Sequence, residues 1–460
     1  MFVARNHEIR SLQRELDRKR PSLIVVYGRR RVGKSTLLAQ ATKDRRTIYF
    51  QATQVLGSVS LGLFRDEIER VLGTDPVLAG IANWEALLSY VSAAAATRPG
   101  LTLVLDEFPY LCESVEGLPS IVQKVFDRAT ADGTSWNLVL CGSQISFMEA
   151  LLGERNPLRG RQTMELELAP LTYREAAAFF DTWSPQEQLT AYGIFGGLPY
   201  YLQLCDSEGS LRENVEDVIL RPGAPLGNEA SNVLRAELQS PSRYASILHA
   251  IADGCVTTGE IVGRAVEISD GRALGPYLVK LQSLRLVRAE RSLDAPPKAR
   301  NTRFAIADPF LAFWYRFVLP NLSPLTAGDV GQVYDHAIEP HLSDYMGRAF
   351  EEIARQWAAH YASELLPSAF REVGKIWGAD YDVDVAGTLL DGTTVFGECK
   401  WTTRKVGRSV LDELRGSAGK TTYGAGEPRF LLFSRAGFTK NLEREKDLVV
   451  IDPAALMQAP

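Results

Sequence analysis

Five cysteines in 460 residues, with no Cys-x-x-Cys pair and no histidine at zinc-ligand spacing, exclude a disulfide-built scaffold and give no sign of a structural zinc site. Cys112, Cys141, Cys205, Cys255 and Cys399 stand in apolar surroundings and read as buried, reduced thiols. No apolar run approaches the roughly 18 to 20 residues needed to cross a bilayer. The first residues, MFVARNHEIRSL, lack the apolar core of a secretory signal, so the expectation is a cytoplasmic protein without membrane contact. Internal repeats and low-complexity tracts are absent, which argues against a solenoid or a disordered tail. A strong overall charge is missing too, but the net charge of -5 hides an asymmetry. Residues 1–46 hold thirteen Lys/Arg against four Asp/Glu, a local balance of +9. With 45% hydrophobic and 23% charged residues, the chain is ordinary globular material of roughly three domains.

The first half alternates short apolar runs with helix-like patterns. SLIVVYG, LTLVLDEF and NLVLCGSQ each look like a strand buried in a parallel sheet, which places this half among α/β folds. From about Leu166 the pattern turns to short amphipathic helices, and RPGAPLGN reads as a linker loop. Between Pro241 and Phe304 come three helical patterns, then two strand-like runs around a Pro- and basic-rich loop, the order of a winged helix. After FVLPNLSPLTAGD the chain offers a long helix, three strands, a helix and a last strand, RFLLFS. The expected division is a nucleotide-binding core over 1–165, a helical lid over 166–235, a winged helix over 236–320 and a C-terminal α/β domain over 321–460.

Gly28 to Ser35 match G-x-x-x-x-G-K-S, directly after a buried strand and at the start of a helix. The glycines let backbone amides and the positive helix end converge on phosphate oxygens, Lys34 neutralises their charge, and Ser35 can hold Mg2+. Val32 and Thr36 complete the loop and the first turn. Arg29, Arg30 and Arg31 fill the free positions, as a solvated tip or as contacts to DNA or a neighbouring subunit; the solvated tip is the favoured reading. LTLVLDEF delivers Asp106 and Glu107 to the end of a second strand, where Asp106 suits the Mg2+ shell and Glu107 suits an attacking water. Standing alone, the pair could equally open a helix. Ser143, ending a third strand, is placed to sense a γ-phosphate or to cap a helix.

The segments FVARNHEIRSL, VVYGRRRVGKSTLL, LVLDEFPYL, LCGSQISFM, PLRGRQTMELELAPLTYREA and GGLPYYL together resemble the prokaryotic and archaeal-type AAA+/STAND-like P-loop ATPases. The resemblance runs in order through the winged-helix segment to a C-terminal nuclease-like domain, and so covers practically the whole chain. It implies that Arg5 and Glu8 lie beside the nucleotide, that Pro199 packs near adenine and that Arg161 senses phosphate. By residue type alone, Arg5 and Glu8 would be an ordinary ion pair.

In the winged-helix segment Leu274, Leu278, Leu281 and Leu284 form a core stripe, leaving Arg272, Lys280 and Arg285 outward. Residues 240–304 carry ten basic and six acidic side chains, with Lys298, Arg300 and Arg303 on the expected wing. That balance suits salt-sensitive contact with DNA phosphates; packing against another domain is the alternative.

Near the C-terminus, YDVDVAGTLLDGTTVFGECKW places two strands around an Asp-Gly turn. A three-residue loop over 390–392, with Gly392 left-handed, sets Leu389 opposite Thr393 and Asp384 opposite Glu398. Asp382 and Lys400 then share that face, while Val383, Val385, Val395, Cys399 and Trp401 line an apolar one. A two-residue loop would mix polar with apolar on each face, and the pattern disfavours it. Two carboxylates and a lysine form the logic of a Mg2+ site acting on a phosphodiester. AFEEIARQW, YDVDVAG and FGECKW resemble the PD-(D/E)xK restriction-endonuclease-like fold in order, with Glu351 as a further ligand, although Val383 stands where the family's proline is usual. The expectation is therefore an ATP- and Mg2+-dependent ATPase engaging DNA, with Lys34, Asp106, Glu107 and Arg161 catalytic and nuclease action open. The alternative is a nucleotide-gated switch or binding module whose nuclease-like domain is inactive. A homo-oligomer or protein partner is expected around Arg159 and Arg161.

Overall fold

The computed structural model describes residues 3–265, 267–296, 299, 301–424, 426–442 and 445–458. The chain divides into two compact units, Met1–Pro170 and Leu171–Pro460. Among the described residues no helix is long and apolar enough to cross a membrane.

The first unit is built on five parallel strands: β1 (Ser22–Tyr27), β2 (Thr47–Gln51), β3 (Thr102–Asp106), β4 (Asn137–Gly142) and β5 (Met164–Glu167), in the order β2-β3-β4-β1-β5. The three central strands are buried along their whole length, as their unbroken apolar runs require. β2 and β5 lie at the edges with one partner each, so their sequences alternate, TIYFQ and MELE, and neither stands out as an apolar run. Leu23, Val25, Leu103, Leu105, Leu138 and Leu140 pack against residues such as Phe64, Leu87, Val91 and Val122 of the flanking helices Gly57–Leu72, Trp84–Ala96 and Leu118–Ala131. Because every strand runs the same way, the C-terminal ends of β1, β3 and β4 open onto one edge.

The second unit starts with short helices and then carries three helices, Pro241–Ala252, Thr258–Arg264 and Gly271–Ser283, followed by an antiparallel pair, β6 (Val287–Glu290) and β7 (Arg303–Ile306). Leu274, Leu278, Leu281 and Leu284 are buried, as their spacing predicts. Lys298 and Arg300 lie outside the described residues. A 23-residue helix, Glu339–Tyr361, leads to a mixed sheet of β8 (Phe370–Trp377), β9 (Asp382–Leu389), β10 (Thr394–Lys400), β11 (Arg429–Ser434) and β12 (Leu448–Ile451), in the order β12-β11-β10-β9-β8. The β9–β10 register has Thr394 opposite Thr388 and Gly397 opposite Val385, with the Leu389 amide donating to the Thr393 carbonyl and Gly392 at φ 92°. The three-residue loop is thus the observed one.

That sheet is covered on both faces. Phe350 and Trp357 of the long helix meet Trp401 and Phe433, with ring centroids 4.9 and 5.6 Å apart respectively. Leu411 and Leu414 of helix Arg408–Ala418 close over Ala386, Phe396 and Phe430 on the other side. The face that carries Asp384 and Glu398 is therefore not polar along its whole length. Ala386 and Phe396 on that face are buried core, and the polar groups are confined to the strand ends.

Candidate functional sites

The phosphate loop bends through positive φ at Gly28, Arg31 and Gly33, and delivers helix Lys34–Ala41 with no side chain capping its first turn. A Cβ on Gly28 would lie 2.4 Å from the Leu168 carbonyl oxygen, so only glycine fits between loop and β5 exit. Lys34 is 6% exposed and donates to the carbonyls of Gly28 and Arg29 at 2.9 and 3.0 Å. Burial holds its ammonium below the usual lysine range, against the opposing pull of nearby Cys141, Glu107 and Asp106. The cradle thus holds a poorly hydrated cation beside uncapped amides, the chemistry of an anion site.

Asp106, 1% exposed, accepts from the Ser35 hydroxyl at 2.7 Å, from Tyr49 at 2.7 Å and from the Glu107 amide at 2.9 Å. Tyr49 is the participant that sequence reasoning missed. It sits on the edge strand β2, whose pairing with β3 brings it to Asp106, and its hydroxyl is held above its ordinary pKa by burial and then by the Asp106 charge. Glu107 has left-handed backbone, φ 53° and ψ 44°, a strained conformation for a side-chain-bearing residue. Its carboxylate accepts from the Ser143 hydroxyl at 2.9 and 3.2 Å. Helix Ile145–Leu151 has no side-chain cap, so Ser143 serves Glu107 rather than the helix.

Arg5 pairs with Glu8 at 2.9 Å and also donates to the Ala169 carbonyl, next to the Leu168 segment that abuts Gly28. Arg30 donates to the Tyr110 hydroxyl at 2.7 Å, so the arginine tip is not wholly solvated. Arg161 makes a two-pronged pair with Asp127 at 2.8 and 2.9 Å. Pro199 opens the short helix Pro199–Leu202 of the second unit.

In the second unit the Cys399 amide donates to Asp384 at 3.0 Å, which fixes that carboxylate beside β10. Lys400 pairs with Glu398 at 2.6 Å, and Lys375 on β8, a lysine sequence reasoning overlooked, pairs with Glu351. Asp384 is left with no lysine of its own: burial, then the Glu351 and Glu398 charges, push its carboxyl up to about 7. Burial raises Glu398 as well; burial pulls Lys400 down most strongly, but its bond to Glu398 and the charges of Glu398, Asp384 and Glu413 together raise it. Among the described residues no group of three or more His, Cys, Asp or Glu side chains is gathered closely enough to hold a metal ion.

The hairpin of β6 and β7 packs on this same region. The Leu293 amide donates to the Lys375 carbonyl at 3.0 Å, the Trp377 amide to the Ser292 hydroxyl at 2.9 Å, and Tyr381 and Thr421 to Asp294 at 2.7 and 2.8 Å. Arg303 pairs with Asp382 at 3.0 Å and lies 4.4 Å from the Trp377 ring centroid. Arg303, expected on the DNA-facing wing, is thus paired with a carboxylate of the neighbouring sheet.

Residues 2–205 match a family described as an ATPase domain predominantly from Archaea. An uncharacterized protein of Methanocaldococcus jannaschii is 30% identical over 360 residues, 78% of this chain and 77% of that protein. The chain belongs to this archaeal protein family, and its N-terminal part is an ATPase domain. Residues 314–410 match a second family, described as archaeal and bacterial proteins of unknown function. The Walker-type ATPase PABY2304 of Pyrococcus abyssi superposes with a TM-score of 0.50 at 19% identity, covering 68% of this chain and 96% of that one. The ORC2 protein of Aeropyrum pernix, solved with ADPNP and ADP, gives a TM-score of 0.47 at 16% identity, covering 72% and 96%. The parallel five-stranded sheet of the ATPase domain is that of a P-loop ATPase fold.

Proposed function

We propose that the protein is a Mg2+-dependent ATPase that couples its nucleotide state to engagement of DNA. The observation that carries this reading is the convergence of Lys34, Ser35, Asp106 and Glu107 at the open edge of the parallel sheet. Ser35 and Asp106 offer hard oxygen donors 2.7 Å apart, the donor set that suits Mg2+. When bound, the ion would neutralise charge on the β- and γ-phosphates. Lys34 and the uncapped amides bind the phosphates, Glu107 orients the attacking water, and Ser143 holds the Glu107 carboxylate in place. Arg5 and Glu8 belong to the nucleotide's surroundings in this proposal. Arg161 would have to leave Asp127 to reach a phosphate. A cytoplasmic location and a subunit contact at Arg159 and Arg161 complete it.

DNA engagement is assigned to the segment of three helices and a hairpin, as a winged helix, with Arg272 and Lys280 on its outer side, and to the C-terminal mixed sheet, as a nuclease-like domain. A second reading applies to that domain: Glu351, Glu398 and Asp382 each have a cationic partner, and among the described residues no three ligating side chains cluster, which favours holding DNA over cutting it. The deciding experiment is ATP turnover with and without DNA for wild type and Lys34→Ala. Removal of the lysine is expected to lower turnover by about 100-fold or more. Equal turnover in the two proteins would overturn the assignment.

A further inference from the structure

Within the second unit, helix Pro185–Phe195, the segment 251–256, β6 and β7, and the long helix Glu339–Tyr361 line a partly open pocket of about 150 Å3. Residue choice makes the room. Ala252, Ala305, Ala307, Ala312 and Ala349 present only a methyl group where these segments converge, and Ile251, Phe304 and Ile306 add apolar wall. Packed interiors keep few voids larger than a water molecule, and leucine at any of these alanines would fill much of this one.

The polar atoms along the wall are engaged. The Tyr345 hydroxyl lies 2.6 Å from the Gly193 carbonyl and 3.0 Å from the Pro309 carbonyl, and the Gln356 amide donates to Tyr192 at 2.9 Å. Arg288 and Glu352 pair at 2.9 Å. Water in the pocket therefore finds few partners, and an apolar body loses little by replacing it. Arg348 differs. Among the described residues its exposed guanidinium has no hydrogen-bond or ion-pair partner, and it rests against Gly254, where an added Cβ would sit 2.8 Å from Nη2.

The geometry points to a binding site for a small monoanion with a compact apolar body, an aromatic or branched aliphatic carboxylate. A cavity of this volume takes a benzene-sized body, about ten non-hydrogen atoms at most. A whole nucleotide or coenzyme does not fit inside it, since sites for such ligands run to roughly 300–1,000 Å3. The apolar body fills the alanine-lined space and the carboxylate meets Arg348. This site is independent of the ATPase reading.

The test uses the full chain with para-fluorobenzoate, followed by fluorine NMR line broadening, and with indole as a neutral competitor. Wild type is expected to broaden the signal saturably and to release the probe to indole. Arg348→Met should weaken para-fluorobenzoate about three- to fivefold, the size of an exposed charge contact, and leave indole unchanged. Ala349→Phe should abolish binding of both probes. Ala312→Phe is the second filling variant should Ala349→Phe fail to fold by circular dichroism. No saturable broadening by wild type, or undiminished binding by a folded filling variant, overturns the proposal.

Discussion

Asp384→Asn should stabilise the second unit above neutral pH and leave it unchanged in acid. Asp384 faces the charges of Glu351 and Glu398, and the nearby lysines are committed elsewhere, Lys375 to Glu351 and Lys400 to Glu398. Its carboxyl, ordinarily ionising at 3.8, is pushed up to about 7 in the folded chain. Below the lower value the group is protonated in both the folded and the unfolded chain and contributes nothing. Between the two values the folded chain holds a proton that the unfolded chain has released, so stability falls as pH rises, and the whole loss persists above about pH 7. Three pH units at 1.36 kcal/mol each set a ceiling of ~4 kcal/mol. Partial solvation and sharing of the proton with Glu398 bring the expected effect to about 1–3 kcal/mol. Asparagine keeps an oxygen for the Cys399 amide, now 3.0 Å from Asp384 Oδ2, and removes only the charge. In calorimetry with a chelator present, the variant should melt about 3–8 °C above wild type at high pH, with the difference vanishing towards pH 4. A difference independent of pH, or a lower melting temperature for the variant at high pH, would refute the reasoning.

Ser143→Ala removes the hydroxyl that holds Glu107 and should lower ATP turnover about ten- to a hundredfold while leaving ATP affinity, measured by calorimetry, near wild type. Gly197→Ala would set a Cβ 2.0 Å from the Leu171 carbonyl oxygen, and urea unfolding should show a loss of about 2–4 kcal/mol. In DNA titrations at several salt concentrations, Arg272→Ala should weaken binding and reduce the salt slope by about 1. Arg303→Ala should leave that slope unchanged, because Arg303 already pairs with Asp382.

What the chain order alone determined is whatever depends on local pattern. The glycines, lysine and serine of the phosphate loop follow a fully apolar strand, so Lys34 and Ser35 were legible without coordinates, as were Asp106 and Glu107 at the end of β3. The Asp384–Glu398 pairing was legible too, because period-two alternation and the Asp-Gly turn admit one register that keeps apolar residues together. Edge strands β2 and β5 escaped because a strand with a single partner needs no continuous apolar run, and β12, though apolar, is only four residues long. Only the tertiary structure could decide which charges are already partnered. Tyr49 reaches Asp106 across 57 residues, Arg303 reaches Asp382 across 79 and Lys375 reaches Glu351 across 24. Coulombic and hydrogen-bond energies depend on separation in space and on burial, and neither can be read from spacing along a chain once it folds back on itself.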